Sequence, residues 1–352
     1  MKTVVTVTGI RPDFIRMSKI FKELDNRFNH ILIHTGQHYD KLLSGVFFNE
    51  LQIRCPDYNL GIGSPGSTHY EQSSHLSIKL IEQLKAIGYS NIDCVIYLGD
   101  SNSVTSAMAV KKEGLKVAHI EAGMRSGDKR MLEEINRIVC DHCSDFLFTY
   151  HDNYNDKLSR ENITSGVFNY GNTIVEVIRE NFDNNDLNSK SRDYIGLDIH
   201  RPENFKYKDR LINILNFANS FDLPVKLLNF SRTIKHINDF NIDWSEYQNI
   251  EVVDLMSYKE FLQFQWDSYC MVSDSGTAQE EPALLNTPVI VPRDYTERPE
   301  SVYNGCSIMV NANKEIDLKE SLDFIESFNP NIEWLGSGNT SKSIANKLEE
   351  LL

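Results

Sequence analysis

The residues best suited to chemistry gather in one stretch, HIEAGMRSGDKRMLEEINR, residues 119 to 137. An apolar run ends at Glu121, a Gly-containing turn follows, and a helical pattern then opens at Glu133 and carries Arg137. A carboxylate at the end of a buried strand, or in a helix's first turn, either caps backbone or moves protons. Other loops after apolar runs add to the set. LGDSNS supplies Asp100, LDIHRPENF supplies His200, and GIRPDFIR supplies Arg11 and Arg16. Any one of these alone is commonly a turn former, a surface charge or a satisfied histidine. Taken together, Asp100, Glu121, Glu133 and His200 with Arg11, Arg16, Arg125 and Arg137 set acids beside guanidiniums. That combination suits proton transfer next to an anionic substrate.

A second constellation is SDSGTAQEE, which follows the apolar run YCMV. Ser275, Gly276 and Thr277 offer small side chains and backbone N–H groups at an expected helix start, suited to phosphate oxygens. Glu281, one turn into that expected helix, can accept from both hydroxyls of a ribose. Ser275 as an N-cap, with Glu280 or Glu281 favouring the helix dipole, is equally compatible with these residues. CDHC (Cys140, His142, Cys143) has metal-like spacing, but a structural zinc needs four ligands and usually two such pairs. Cys55, Cys94, Cys270 and Cys306 form no second pair. Buried reduced thiols are the expectation, with no metal and no cofactor.

These loops need a scaffold that brings them together. Residues 1 to 170 alternate short apolar runs (TVVTVTG, HILIHTG, DCVIYLGD, KVAHIEAG, DFLFTY) with segments of helical period. After the helical TIVEVIREN and the polar FDNNDLNSKSRD, a second alternating set runs from YIGLDIH through PVKLLNF, IEVVDL and YCMVSD to TPVIVPRD. The pattern predicts α/β architecture: two Rossmann-like doubly wound domains, facing each other across a cleft, with ligands beyond the strand ends. The expected domains are 1–170 and 171–336, with an amphipathic helix over 337–352 that packs on either one.

Composition narrows the function classes. The chain has 352 residues, 41% apolar and 24% charged, with a formal net charge of −14. Such a charge argues against a nucleic-acid partner, whose phosphates call for Lys and Arg. The first apolar run is too short for a signal peptide, and no stretch reaches the roughly 18 apolar residues of a membrane span. A cytoplasmic enzyme that does not engage membranes is expected.

The motifs TGIRPDFIRMS, TGQHYD, GDSNS, HIEAGMRSGD…EEINR, HRPENF, SDSGTAQEE and RDYTERPE stand in an order that resembles the non-hydrolysing UDP-N-acetylglucosamine 2-epimerases, over nearly the whole chain. The resemblance implies a GT-B-like fold, a homodimer, a UDP-sugar substrate and C2 epimerisation without metal or nicotinamide, in surface-polysaccharide biosynthesis. It implies UDP elimination to a 2-acetamidoglycal and re-addition, with Asp100, Glu121, Glu133 and His200 as catalytic groups. Glu121 and Glu133 rank above Asp100 as the C2 base. Arg11, Arg16, Arg137, Ser275, Gly276, Thr277 and Glu281 then fall at substrate-binding positions, with Arg11 near the diphosphate.

Three departures bear on the substrate, and a fourth on the uracil contacts. DKRML between Gly127 and Glu133 is shorter than the family's usual loop and lacks its Trp-Pro pair; Arg16 replaces a common Lys, and DSGT a common DSGG. These three are similar to the branch acting on UDP-6-deoxy-L-hexosamines, such as UDP-N-acetyl-L-fucosamine and UDP-N-acetyl-L-quinovosamine synthases. The alternative is epimerisation of UDP-N-acetylglucosamine itself. Phe230-Ser231 also stands where relatives carry His-Pro. More distant alternatives are a hydrolysing epimerase, which shares the glycal, and a GT-B glycosyltransferase, which needs no acid cluster around C2.

Overall fold

The computed structural model describes residues 1–36, 48–63, 68–182 and 190–352. The Gln37–Asp40 part of TGQHYD, most of the KLLSGVFFNEL segment and most of the polar FDNNDLNSKSRD stretch lie outside the described residues.

The chain forms two compact units, Met1–Val177 with Leu335–Leu352, and Ile178–Trp334. The boundary falls inside the helix Ile174–Asn181. The first unit holds strands β1 (Thr3–Thr8), β2 (Asn29–His34), β3 (Tyr58–Asn59), β4 (Cys94–Leu98), β5 (Val117–Ile120), β6 (Phe146–Thr149) and β7 (Val167–Asn169). They lie in the order β3-β2-β1-β4-β5-β6-β7 with every pair parallel. The second unit holds β8 (Ile195–Asp198), β9 (Val225–Leu228), β10 (Ile250–Val253), β11 (Cys270–Ser273), β12 (Val289–Val291) and β13 (Ser307–Met309). Their order, β10-β9-β8-β11-β12-β13, repeats the same scheme, again all parallel.

Parallel strands covered by helices on both faces are buried throughout, which is why β1 and β4 read as unbroken apolar or small runs and β8 does so up to its last residue, Asp198. Each sheet reverses its strand order once, between β1 and β4 and between β8 and β11. At such a switch point the connections leave in opposite directions and open a crevice beyond the carboxyl ends of the strands. Val5, Val95 and Val117 anchor the first core, and Ile195, Leu227 and Val272 the second.

Several elements go beyond the alternation seen in the sequence. The helix His69–Ile87 buries Leu76, Leu80 and Leu84 at four-residue spacing. It starts with a capping box in which Thr68 N–H donates to Glu71 (2.8 Å) and Glu71 N–H donates back to Thr68 Oγ1 (3.4 Å). β3, β7 and β13 are only two or three residues long, too short to leave a periodic signal. The helix expected from Ser275 onward is instead a 3-10 turn, Thr277–Gln279, followed by a four-residue helix, Glu281–Leu284. Pro282 lacks an N–H and obstructs the preceding turn, so an α-helix can only begin there.

The C-terminal helix Thr340–Leu351 belongs to the first unit. Its Ser341 N–H and hydroxyl both donate to Glu176 at 2.7 Å, and Arg27 reaches Asn346 and Glu349. Among the described residues no helix is long and apolar enough to cross a membrane.

Candidate active site

At the first switch point, β1 ends at Thr8 and the helix Arg11–Arg27 begins three residues later. Asp13 locks this turn, accepting from the N–H groups of Gly9 (3.1 Å) and Ile10 (3.3 Å) and from Ser101 Oγ (3.1 Å). The turn after β1 is thereby tied to the turn after β4, which carries Asp100. Burial, the largest cause, pushes the Asp13 carboxyl up to about 7, and nearby Asp100 adds to the rise.

Glu121 follows β5 and is the hub of the ion pairs at this crevice. It is 2% exposed, and its φ of 68° puts a non-glycine residue in the left-handed region. That backbone costs on the order of 1–3 kcal/mol and persists only where the surroundings over-determine it. Here they do. Arg16, one turn inside the first helix, pairs with Glu121 Oε2, and Arg137 Nη2 reaches Glu121 Oε1 at 3.2 Å. The same nitrogen of Arg137 pairs with Asp100, while Asn136 Nδ2 donates to the Asp100 carbonyl at 3.0 Å. Arg137 is fully buried, and its Nε and Nη1 meet no acceptor among the described residues. A buried guanidinium with the N–H groups of two nitrogens left over is costly unless another acceptor arrives, so this point favours an anion.

The Glu-Glu pair divides its labour. Glu133 lies half-buried in the first turn of the helix Leu132–Cys143. Glu134 turns inward and accepts from Ser126 N–H (2.8 Å), Ser126 Oγ (3.1 Å) and Gly127 N–H (2.9 Å). Glu134 therefore holds down the short 127–133 loop. The sequence does not single it out, because adjacent identical residues differ only in the face of the helix they occupy.

At the second switch point, His200 follows β8 and Asp274 follows β11. His200 Nδ1 lies 2.8 Å from Asp198 Oδ1 and 3.5 Å from Asp274 Oδ1. Burial opposes a charged ring, but the two carboxylates outweigh it and hold the His200 pKa above the ordinary histidine value. Burial in turn pushes the Asp274 carboxyl up. These three side chains could by type bind a cation. Their oxygens are already engaged: Ser273 Oγ donates to Asp198 Oδ2 (2.8 Å), His200 N–H to Asp274 Oδ1 (3.0 Å), and Arg201 N–H and Asn204 Nδ2 to Asp274 Oδ2 (3.1 and 2.9 Å). The arrangement orients an imidazolium better than it would hold a metal. The His200 ring also lies against Phe230, with centroids 4.9 Å apart. The unusual Phe-Ser pair is thus part of this crevice.

Ser275 and Thr277 are half-buried and linked by their hydroxyls at 2.9 Å, and Ser275 N–H donates to Ser273 Oγ at 3.1 Å. Ser275 caps no helix; the expected N-cap role disappears with the expected helix. Gly276 answers to packing: a Cβ there would sit 2.5 Å from Arg298 Nη1 and 2.6 Å from Glu297 Oε1. Those groups come from RDYTERPE, whose Arg298 also donates from Nε to Glu280 at 2.7 Å. Glu281 is 3% exposed, and its two oxygens accept from Tyr258 OH (3.1 Å) and Gln265 Nε2 (3.2 Å). Arg11 lies half-buried at the first position of the Arg11–Arg27 helix. CDHC holds no metal-like set: Cys140 is buried, Cys143 half-buried, and Asp141 between them points to His119.

The family model described as UDP-N-acetylglucosamine 2-epimerase matches residues 22–349. The chain belongs to this family. Its members are isomerases, and the architecture here, two parallel-sheet α/β units, is that of a solved member. The crystal structure of Methanocaldococcus jannaschii UDP-GlcNAc 2-epimerase in complex with UDP-GlcNAc and UDP superposes with a TM-score of 0.90 at 34% identity, covering 99% of this chain and 100% of that one. A UDP-N-acetylglucosamine 2-epimerase homolog of Methanococcus maripaludis is 35% identical over 99% of both chains. A UDP-2,3-diacetamido-2,3-dideoxy-D-glucuronate 2-epimerase of Pseudomonas aeruginosa is 30% identical, also over 99% of both. The family thus includes more than one named sugar.

Proposed function

We propose that this chain inverts C2 of a UDP-2-acetamido sugar by eliminating UDP to a 2-acetamidoglycal and adding it back. The carrying observation is the Asp100–Arg137–Glu121–Arg16 array, buried at every member but Asp100 and built around a left-handed Glu121. C2–H has no neighbouring carbonyl, so a free carbanion is out of reach. Loss of UDP from C1 as a base takes the C2 proton avoids it, and protonation on the other face completes the inversion. Glu121 and Glu133 are the first candidates for these transfers, with Asp100 behind them. Arg137, Arg16 and Arg11 supply charge for the departing diphosphate. Ser275, Gly276, Thr277 and Glu281 bind the nucleotide, and His200, held as a cation by Asp198 and Asp274, faces developing negative charge.

For the sugar, we favour a UDP-2-acetamido-2,6-dideoxy-L-hexose. Support comes from the short loop tied down by Glu134, from Arg16 and from Thr277. UDP-GlcNAc is the second reading, supported by the names of the relatives at 34% and 35% identity. Proton NMR of the protein in D2O with each sugar nucleotide separates them. Loss of the C2 proton signal with the UDP linkage intact identifies the substrate. Free sugar and UDP would mean hydrolysis, and no exchange in either tube would return the glycosyltransferase alternative.

The enzyme acts in the cytoplasm as a homodimer in this reading. The dimer is supported by an apolar groove of about 430 Å³ lined by Tyr70, Met108, Leu132, Ile135 and Val139, where Tyr70, Met108, Leu132 and Ile135 are exposed. Light scattering on Ile135→Asp should find a monomer.

A further inference from the structure

We infer that His119 is a positioning residue for the reaction proposed above: clamped between the Gly99 carbonyl and Asp141, its ring fixes the two turns that present Asp100 and Glu121. The inference rests on that functional reading for its consequence, and on geometry for the clamp.

His119 is fully buried in β5, two residues before Glu121. Its Nε2 lies 2.7 Å from the carbonyl of Gly99, the residue before Asp100. Its Nδ1 lies 2.6 Å from Asp141 Oδ1. Asp141 comes from CDHC, the motif that the active-site array leaves unused. Its other oxygen accepts from Gly123 N–H at 3.1 Å and pairs with Arg125 Nη1 at 2.7 Å. Arg125 is fixed in its turn by Glu161, through bonds of 2.8 and 2.7 Å.

The proton count follows from the partners. A backbone carbonyl only accepts, so Nε2 must carry a hydrogen. Asp141, already taking an amide and a guanidinium, is an ionised acceptor, so Nδ1 must carry one as well. The ring is an imidazolium. The titratable and charged groups around it are Asp141 and Cys140 from the Leu132–Cys143 helix and, beyond Asp141, Arg125. Burial works against the charge, yet Cys140 and Asp141 outweigh it and push His119 up to about 10. Burial also works against an ionised Asp141, but His119 and Arg125 hold its carboxyl below the usual range.

The turns at both ends of the clamp need holding. Gly99 has φ 72°, Glu121 68° and Gly123 79°, so Glu121 itself and the residue just before Asp100 lie on left-handed backbone. His119 braces the first turn through the Gly99 carbonyl and, through Asp141, the second through the Gly123 amide. A shift of about 1 Å in either carboxylate costs on the order of 10²-fold in rate.

The test uses Asp141→Asn, which keeps the shape and removes the anion. With it gone, burial works against the charged ring with one counter-group fewer, so the His119 pKa falls. We expect kcat to drop about 10- to 100-fold at pH 8 and recover toward pH 6, with KM changed less than about threefold. A merely structural role would lower kcat equally at all pH values, and that result overturns the proposal, as does wild-type kcat at pH 8. Nitrogen-15 NMR of the wild-type protein at pH 8 provides a readout that needs no active variant. Two protonated ring nitrogens, assigned by their loss in His119→Asn, support the clamp, and one protonated nitrogen overturns it. If the wild-type enzyme epimerises neither sugar nucleotide, the proposed function falls while this NMR result still decides the clamp.

Discussion

The two switch points share one topology and hold opposite chemistry. In the first, three of the groups that matter are fully or nearly fully buried and interlocked: Arg16, Glu121 and Arg137. In the second, a single histidine stands between two aspartates, and the adjoining turn is made of Ser275, Gly276 and Thr277. The first site resists movement, because charges taken out of water must keep their partners. The second is built from small residues, with RDYTERPE packed so closely behind the buried Gly276 that no side chain fits there. A doubly wound sheet dictates where a ligand crevice opens, while the residues loaded at the strand ends decide whether it transfers protons or binds phosphate.

The largest effect that would break this contrast is expected at Glu121. Glu121→Gln should lower kcat for C2 exchange by about 10³-fold with little change in KM, read by deuterium incorporation. Near-normal turnover would remove Glu121 from proton transfer and leave the first site a purely structural lock. Next, Gly276→Ala pushes a methyl group against Arg298 and Glu297. Affinity for UDP should fall about tenfold by calorimetry, with stability lowered by about 1–3 kcal/mol.

The pH dependence sharpens the comparison further. The Asp13 carboxyl titrates near 7 in the folded chain and near 3.9 unfolded, so the folded state holds a proton that the unfolded state has released. Its contribution to stability therefore falls as pH rises from about 4 to about 7. Asp13→Asn should lose that slope, gaining on the wild type by a few kcal/mol at most between pH 4.5 and 7.5 in urea unfolding. His200 carries the opposite origin but the same sign. Its raised pKa gives stability that is full below about pH 6.5 and is lost as pH rises through the folded value. The smallest effect is expected for Asp198→Asn, which should move the alkaline limb of kcat to lower pH by less than about one unit.

Much of the scaffold could be read directly. The buried runs of β1, β4, β5, β8 and β11 stand out because a parallel strand covered on both faces tolerates almost no charge. The helix His69–Ile87 also carried a signal, the Thr68–Glu71 capping box followed by Leu76, Leu80 and Leu84, while β3, the strand before it, is too short to show. The short helix at Glu281 was legible in principle from Pro282. Asp100, Glu121 and His200 were visible because each is a polar residue at the end of an apolar run. Asp13, Glu134, His119 and Asp141 were not, since nothing local separates a carboxylate or imidazole that reaches inward from one that meets water.

The sequence by itself determined the alternation of strands and helices, the acidic and basic residues at the strand ends, and the order of motifs shared with the epimerase family. Those are properties of neighbours along the chain, fixed by periodicity and residue type. Only the tertiary structure decided that Arg137 bridges Asp100 and Glu121, that Glu121 sits on left-handed backbone, and that Asp141 clamps His119. These pairings join residues 16 to 37 positions apart. They depend on which strands lie side by side, and on burial that makes each unpaired charge costly.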